Sequence, residues 1–258
     1  MTEPKRTYRR NPWKRLALKW KVPIQIAVPT VVIALAISAV SYIQARNALE
    51  ERSEAAFAYL MQSKQQALED WLSGIEQDVV ILGDGQGTVD AIRDFSQAWD
   101  ALGAGAEERL QAAYITDNPN PTGQKDELVN TKDGTEYAQM HAKYHEGYRS
   151  LQRGRGYYDL FLFDLKGNLI YSVFKELDYA TNFNDGVYAE SGLGEAYRAA
   201  LSLSEGAFHF TKFAPYAPSF DAPAKFVAAP VFDNAGKRVG VVALQAPLDQ
   251  MTMFLSRS

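Results

Sequence analysis

The longest uninterrupted apolar stretch of the chain lies close to its beginning. Residues 22–43 read VPIQIAVPTVVIALAISAVSYI and contain no charged side chain. About 20 such residues cross the hydrocarbon layer of a membrane as a helix, whereas the apolar region of a signal peptide has about 7 to 15. The pattern predicts one uncleaved transmembrane helix. A cleaved signal peptide, for which the small residues at 36–45 leave room, and a buried core helix are the alternatives.

A helical period follows this stretch. Between residues 44 and 82 apolar side chains recur mostly every three, four or seven to eight positions, with no proline. The spacing predicts a long amphipathic stalk helix, with a break at Gly74 as an open alternative. We expect most of the stripe to pack against the rest of the chain, and the stalk also offers a face for a homodimer. The stripe comprises Leu49, Phe57, Leu60, Leu68, Trp71, Ile75 and Val79.

Two further helices are predicted before residue 156. One covers residues 89–115 with an interruption at 103–105, and the other covers residues 135–152. Asp133 followed by Glu136 resembles a capping box at the start of the second. We therefore assign residues 44–156 to a helical stalk and helical lead-in.

The apolar period changes from 3.6 to 2 after Gly156. Strands separated by short turns predict an antiparallel sheet crossed by one helix. The predicted strands cover residues 157–164, 169–175, 207–213, 225–232 and 238–246, and the predicted helix covers residues 192–203. A loop marked by Pro215, Pro218 and Pro223 separates two of the strands. The fold class predicted is α+β: a transmembrane helix and a long helical stalk, then a five-stranded antiparallel sheet with a crossing helix.

Charge is divided unevenly along the chain. Residues 1–21 hold eight basic residues and one acidic residue, and the remainder holds 19 basic and 30 acidic residues. Excess Lys and Arg keep a flanking segment in the cytoplasm, so residues 1–21 are predicted to be a cytoplasmic tail, with Trp13 and Trp20 near the inner interface. The acidic remainder is then exported, which in a bacterium means a single-pass inner-membrane protein with a periplasmic body. The absence of cysteine is consistent with that compartment.

Catalytic chemistry has little support in the sequence. Without cysteine there are no thiolate metal sites and no cysteine nucleophile, and no G-x-S-x-G motif is present. His141 and His145 stand four residues apart, a spacing that can bind zinc, but no third ligand is evident. Asp159 and Asp164 are interpreted as solvated residues at strand edges or turns. We predict neither an enzyme nor a cofactor, and assign the histidine pair a structural or ligand-contacting role.

Residues 157–249 resemble a Cache domain, the PAS-like extracytoplasmic sensor of bacterial chemoreceptors, histidine kinases and nucleotide cyclases. The segments that carry the resemblance are YYDLFLFDLKGNLIYSVFKELDYATNF, VYAESGLGEAYRAAL and FAPYAPSFDAPAKFVAAPVFDNAGKRVGVVALQAPLD. The resemblance implies that residues 157–258 form a sensor lobe of an anchored receptor, most often of chemotaxis type. It also implies a second membrane helix and a cytoplasmic output domain, so we expect this chain to be a fragment or a truncated form of such a receptor.

Candidate ligand contacts lie on alternating strand positions and in the two long loops of this lobe. A pocket there needs apolar walls and a few placed polar groups. The candidates are Tyr171, Lys175, Asp178, Asn182, Tyr188, His209, Thr211, Tyr216, Phe226 and Asp249. For each aromatic residue a place in the sheet core is the alternative, and for Asp249 a helix cap. Lys175 is the candidate for a ligand carboxylate, with a surface pair to Glu176 or Asp178 as the alternative.

The sequence thus favours a ligand-sensing input region, with an organic acid or an amino acid as the expected ligand. The alternative is a membrane-anchored interaction module that dimerises through its stalk without a ligand. No nucleic-acid partner is expected, because the positive charge is confined to a short tail.

Overall fold

One helix occupies the first quarter of the described chain. The computed structural model describes residues 17–247, and helix α1 runs without a break from Leu18 to Asp84. It contains an apolar window long enough to cross a membrane, none of which is buried in the protein. The chain forms two compact units, Met1–Ser63 and Lys64–Ser258, and α1 contributes to both. Most of the basic tail, Trp13 and Asp249 lie outside the described residues.

The helical lead-in consists of three further α-helices. They are α2 (Gln86–Leu102), α3 (Ala106–Gln111), which continues into a π-helical turn over Ala112–Thr116, and α4 (Glu136–Arg155). The interruption predicted at 103–105 is confirmed, and Gly103 and Gly105 both have positive φ there. The predicted cap of α4 is wrong by two residues: Thr135 accepts the Ala138 N–H at 3.1 Å.

The second half of the chain forms the predicted five-stranded antiparallel sheet. Its strands are β1 (Asp159–Phe163), β2 (Leu169–Ser172), β3 (His209–Phe210), β6 (Phe226–Phe232) and β7 (Arg238–Gln245), in the spatial order β2-β1-β7-β6-β3. Helix α5 (Gly192–Ala200) crosses one face. The α+β prediction is therefore confirmed.

A separate two-stranded hairpin replaces the proline-marked loop that the sequence predicted. Its strands are β4 (Ala214–Tyr216) and β5 (Ala222–Ala224), joined by a 3-10 turn over Ala217–Ser219. The predicted strand over 207–213 shrinks to two residues, and the one over 169–175 ends at Ser172. The segment after Ser172 is therefore irregular backbone rather than strand, and so is most of the segment 207–213.

Helices cover the sheet on both faces. On the first face, Leu160, Leu162, Val242 and Leu244 pack with buried residues of α2 and α4. On the second face, Phe161, Phe163, Val241 and Ala243 pack with the buried side of α5. Because successive strand residues point to opposite faces, odd-numbered positions of β1 and β7 share the α5 face. Asp159 and Gln245 therefore belong to the α5 face.

The stripe predicted on the stalk divides into two parts. Ile75 and Val79 are buried in the core of the sheet unit, as expected for packing against the body. Leu49 and Phe57 remain 70% and 66% exposed. The N-terminal part of the stripe is therefore an exposed apolar surface.

Candidate functional site

Three carboxyl groups gather at one end of the α5 face of the sheet. They belong to Asp159, Glu176 and Asp178, and we call them with their polar partners the acidic cluster. Asp159 opens β1, while Glu176 and Asp178 lie in the loop that follows β2. The partners are Tyr158, Ser172, Tyr216, Ser219 and Gln245.

Asp159 has a full set of hydrogen bonds. Its Oδ1 accepts the N–H groups of Leu160, Val173 and Phe174 at 2.6, 3.0 and 3.0 Å, and its Oδ2 accepts the Ser172 hydroxyl at 2.8 Å. Burial, together with the charge of Asp178, raises the pKa of Asp159 well above its usual range. This carboxyl fixes the backbone where β2 ends and the loop begins.

Glu176 joins the loop to the hairpin. Its two oxygens accept the hydroxyls of Tyr158 at 2.6 Å and Ser219 at 2.7 Å. Ser219 Oγ in turn accepts a hydrogen bond from the Gln245 amide nitrogen at 3.3 Å. A chain of contacts thus runs from the loop through the hairpin to the last strand. The Gln245 carbonyl oxygen Oε1 has no hydrogen-bond partner within residues 17–247.

Asp178 is the least satisfied member of the cluster. Its Oδ2 accepts the Tyr216 hydroxyl at 2.5 Å, but its Oδ1 has no hydrogen-bond partner in the described part of the chain. Burial raises the pKa of Asp178 to about 7, although the Tyr216 hydroxyl and nearby backbone N–H groups act in the opposite direction. An unpaired buried acceptor costs about 1–3 kcal/mol. Such a group in a native structure calls for an explanation, and binding of a ligand is one.

The backbone around the acidic cluster is strained. Lys175, Ala180, Phe220 and Asp221 all have positive φ, between 57° and 64°, although none is glycine. Lys175 and Ala180 lie in the loop after β2, and the other two lie in the hairpin. Such conformations cost of order 1–3 kcal/mol each and concentrate at functional sites.

A small cavity lies against the outer side of the same loop and hairpin. Its volume is about 170 Å³, and its walls include Lys125, Phe174, Lys175, Glu176 and Phe220. A cavity of about 150 Å³ accommodates benzene. Glu176 therefore faces both a space of small-molecule size and the acidic cluster.

Five of the predicted contacts, Asp178 among them, come together at this end of the sheet. Tyr216 binds Asp178, and its ring packs on Phe226 with centroids 4.9 Å apart. Tyr188 packs against the same face. Burial raises the pKa of the Tyr188 hydroxyl, and the charge of Asp178 raises it further. Thr211 lies beside them and accepts the Phe226 N–H at 3.0 Å.

The other described candidates lie elsewhere. Tyr171 faces the helices and bonds to His145, Asn182 stabilises the β1–β2 turn by binding Asn168, and His209 sits at the sheet edge near Glu195. All three were chosen as ligand contacts because they alternate along a strand or lie in a long loop. Neither property shows at which end or on which face of the sheet a residue lies.

Lys175 is neither a surface residue nor paired with Glu176 or Asp178. It is 1% exposed, its ammonium donates to the Val173 carbonyl at 2.9 Å, and it lies 6.0 Å from the centre of the Tyr114 ring. Burial lowers the pKa of Lys175 to about 7. The surface pair suggested for it is wrong.

The two spaced histidines are buried between α4 and the sheet. His145 bonds to the Tyr171 hydroxyl at 2.7 Å and to the Asp126 carbonyl at 2.6 Å, so both of its ring nitrogens are engaged. His141 stacks on it at 4.3 Å and bonds to the Val129 carbonyl. Burial lowers the pKa of both. No group of three potential metal ligands occurs among residues 17–247.

Sequence reasoning missed six members of the acidic cluster: Tyr158, Asp159, Ser172, Glu176, Ser219 and Gln245. Asp159 and Asp164 were expected to be solvated, yet they are 1% and 5% exposed. A signal for Asp159 was available, because it alternates with Phe161 and Phe163 and must share their face. The same alternation places Gln245 with Val241 and Ala243. Ser219 joins only through the hairpin, which has no such signal.

Searches with the sequence match no protein family and no curated protein. Solved structures with a related arrangement include the sensor domain of the histidine kinase DctB of V. cholerae, at 14% identity, with 67% of this chain and 61% of that chain covered and a TM-score of 0.36. Another is the ligand-binding domain of the Campylobacter jejuni chemoreceptor Tlp3 with 4-methylisoleucine, at 10% identity, 71% and 64% coverage and a TM-score of 0.33.

A third is the ligand-binding domain of the Pseudomonas fluorescens chemoreceptor CtaA with L-serine, at 18% identity, 75% and 66% coverage and a TM-score of 0.30. This chain thus spans less than two thirds of the length of each of these structures. The three structures are a histidine kinase sensor domain and two chemoreceptor ligand-binding domains.

Proposed function

We propose that this chain is the ligand-sensing input region of a transmembrane receptor of chemoreceptor type. Its N-terminus is cytoplasmic, residues 22–43 anchor it in the inner membrane of a bacterium, and its sheet unit is periplasmic. The apolar window of α1 and the basic residues that precede it support the anchor and its orientation.

The observation that carries the sensing role is the unpaired oxygen of Asp178 beneath a strained loop and hairpin. A domain selected only for stability removes such a group, because an apolar residue of similar size is at least as stable there. Glu176, in the same loop, lines a cavity that can hold a small molecule, so this loop is suited to binding. A ligand bound there selects one arrangement of loop and hairpin over others, which is the requirement for a signal.

A thermal-shift screen tests this function. The full chain in lipid nanodiscs is heated with a library of organic acids, amino acids, amines and sugars. At least one compound is expected to raise Tm, because a ligand at about 100 times its Kd stabilises the folded state by about 2.7 kcal/mol.

The control for the screen is a pair of variants. Asp178→Asn is expected to lose the ligand-induced shift, whereas Asp100→Asn, at an exposed side chain paired with Lys166, keeps it. If no compound in the library raises Tm, the sensing function is wrong.

A second candidate function is an anchored dimerisation module, and the exposed apolar part of the stalk favours it. The chain has no cysteine, so single cysteines can be introduced without background. Phe57→Cys is expected to form disulfide-linked dimers in nanodiscs. Tyr59→Cys, about 200° further around the helix and 76% exposed, is expected to form few.

Equal cross-linking at both positions, or none at either, contradicts a dimer through this face. Dimers combined with a negative ligand screen would favour the dimerisation module over the sensor.

A further inference from the structure

We propose that a groove at the end of the sheet opposite the acidic cluster binds an acidic peptide segment of a partner protein. The acidic cluster lies where β1 begins and β7 ends, whereas the groove lies where β1 ends and β7 begins. The two sites share no residue, so this inference is independent of the proposed sensing function. We call the site the basic groove. Its volume is about 450 Å³, and its lining includes Arg93, Asp100, Leu165, Lys237, Arg238 and Val239.

Helix α2 forms one wall of the basic groove, and two turns of the sheet form the other. The β1–β2 turn contributes Leu165, and the β6–β7 turn contributes Lys237. Helix α2 can lie close to β7 because Gly240 has no side chain: a Cβ there would lie only 3.0 Å from Ile92 Cγ2. Arg93 follows Ile92 along the helix, so this close packing places Arg93 beside the β6–β7 turn.

Two ion pairs connect α2 to these turns. Arg93 Nη2 lies 2.5 Å from Asp233 Oδ2 in the β6–β7 turn, and Lys166 Nζ in the β1–β2 turn lies 2.7 Å from Asp100 Oδ1. The other carboxylate oxygen of Asp233 accepts the Lys237 N–H at 2.9 Å, which orders the turn. The walls of the basic groove are therefore held before a partner arrives, which lowers the cost of ordering on binding.

Lys237 and Arg238 supply positive charge that no acid described in the structure neutralises. Neither forms an ion pair within 4 Å among residues 17–247. Lys237 is exposed at the end of its turn. The Arg238 guanidinium donates to the Leu203 carbonyl at 2.6 Å and lies over the Phe232 ring, 4.9 Å from its centre. A guanidinium that is already positioned in this way loses little freedom when it binds a carboxylate.

The rest of the sheet unit has the opposite charge. Residues 64–247 hold 16 basic and 26 acidic residues. The basic groove, by contrast, is lined by three basic residues and one acidic residue. A local positive site on a negative body attracts an acidic partner to this one place, while the remaining surface repels it. Charge complementarity thus defines both the partner and its position.

The apolar residues of the basic groove favour a peptide over a free anion. Leu165 is 46% exposed beside the groove, and Val239 is partly buried in it. Exposed side-chain ion pairs contribute little in water, so a small anion held by them alone binds weakly. A peptide adds burial of an apolar side chain against Leu165 and Val239. The volume lies within the range of about 300–1,000 Å³ that is typical of binding clefts.

Fluorescence anisotropy with the full chain in zwitterionic nanodiscs tests the inference. The probes are labelled hexapeptides in which one leucine is combined with Asp and Glu in every order, each with a twin that has Asn and Gln instead. At least one acidic peptide is expected to bind, and its neutral twin to bind about 10-fold more weakly or worse. Raising NaCl from about 0.1 to 1 M shortens the Debye length from about 10 to 3 Å and is expected to abolish most of the binding.

Two matched variants locate the peptide. Lys237→Glu is expected to weaken binding about 10-fold, because it reverses an unpaired charge of the basic groove. Lys212→Glu makes the same change of net charge at an exposed lysine outside the groove, and is expected to bind as the wild type does. The basic residues 1–21 are present in both variants, so binding to them would be weakened equally.

Carbodiimide cross-linking gives a readout that needs no variant. The reagent joins a peptide carboxylate to a lysine ammonium in contact with it, and mass spectrometry identifies the lysine. Peptide is expected on Lys237 more than on the exposed Lys132 and Lys212, or on the lysines of residues 1–21. This result also decides the matter if Lys237→Glu does not fold.

Four outcomes overturn the inference. They are binding of no acidic peptide, equal loss of binding in both variants, cross-links mainly outside the basic groove, and full displacement of the peptide by inorganic phosphate, which would show a small-anion site. Association of the nanodiscs with one another that Lys237→Glu abolishes would make a second copy of this chain the occupant instead. None of these results bears on the thermal-shift screen, which decides the sensing function separately.

Discussion

The stability advantage of Asp178→Asn over the wild type is expected to grow by about 3 kcal/mol as the pH is raised from 5 to 8. Burial raises the pKa of this carboxyl to about 7 from an ordinary value of 3.8. Between these two values the folded chain holds a proton that the unfolded chain has released. The free energy of unfolding of the wild type therefore falls as the pH rises from about 4 to 7 and becomes constant above pH 7, as far as Asp178 contributes to it. Asparagine does not titrate and escapes the loss.

The measurement is the difference in Tm between variant and wild type, in nanodiscs, at pH 5 and pH 8. About 3 kcal/mol corresponds to roughly 6–12 °C for a folded unit of this size. Asp100→Asn serves as the control, since that side chain is 60% exposed. A difference in Tm that does not change with pH would show that Asp178 is not a buried, destabilising carboxyl.

Truncation of Asp159 to alanine is expected to lower the unfolding free energy by about 5 kcal/mol. The change removes the acceptor of three backbone N–H groups and of the Ser172 hydroxyl, all at a site that is 1% exposed. Each buried donor left unpaired costs about 1–3 kcal/mol. The predicted loss corresponds to roughly 10–20 °C in Tm.

Asp159→Asn separates hydrogen bonding from charge. Its side-chain oxygen can still accept the three backbone N–H groups, so we expect it to recover more than half of the loss in Tm. An alanine variant as stable as the wild type would show that Asp159 does not fix the end of β2. The loss in Asp159→Ala thus comes from the hydrogen-bond acceptors that alanine lacks and asparagine keeps.

The elements of the fold follow from local pattern for the most part. The α1 period, the interruption at Gly103 and Gly105, and the alternation of β1, β6 and β7 were each predicted within a few residues. The hairpin of β4 and β5 was missed, because strands of three residues that contain proline lack an alternating pattern. The predicted N-cap of α4 was wrong because Asp133 and Thr135 are both good capping residues, and Asp133 instead accepts from Thr135.

The candidate site was predicted only in part. Asp178, Tyr188, Thr211, Tyr216 and Phe226 were named and lie together, since loops after strands gather at the ends of a sheet. Lys175 was assigned to a ligand carboxylate, with a surface pair as the alternative. Its φ is positive and its side chain is buried, which excludes the surface pair, and it lines the cavity beside the loop. A positive φ at a residue other than glycine is not predicted by the sequence pattern.

The sequence alone determined the order of the elements: an apolar span after a basic tail, a helical stalk, and an antiparallel sheet with one crossing helix. These features depend on periodicity, composition and charge, which are properties of neighbours along the chain. Only the tertiary structure decided which acids are satisfied. Hydrogen-bond partners such as Tyr216 for Asp178, 38 residues apart, are chosen by long-range packing. The unpaired oxygen of Asp178 is therefore visible only after the chain has folded.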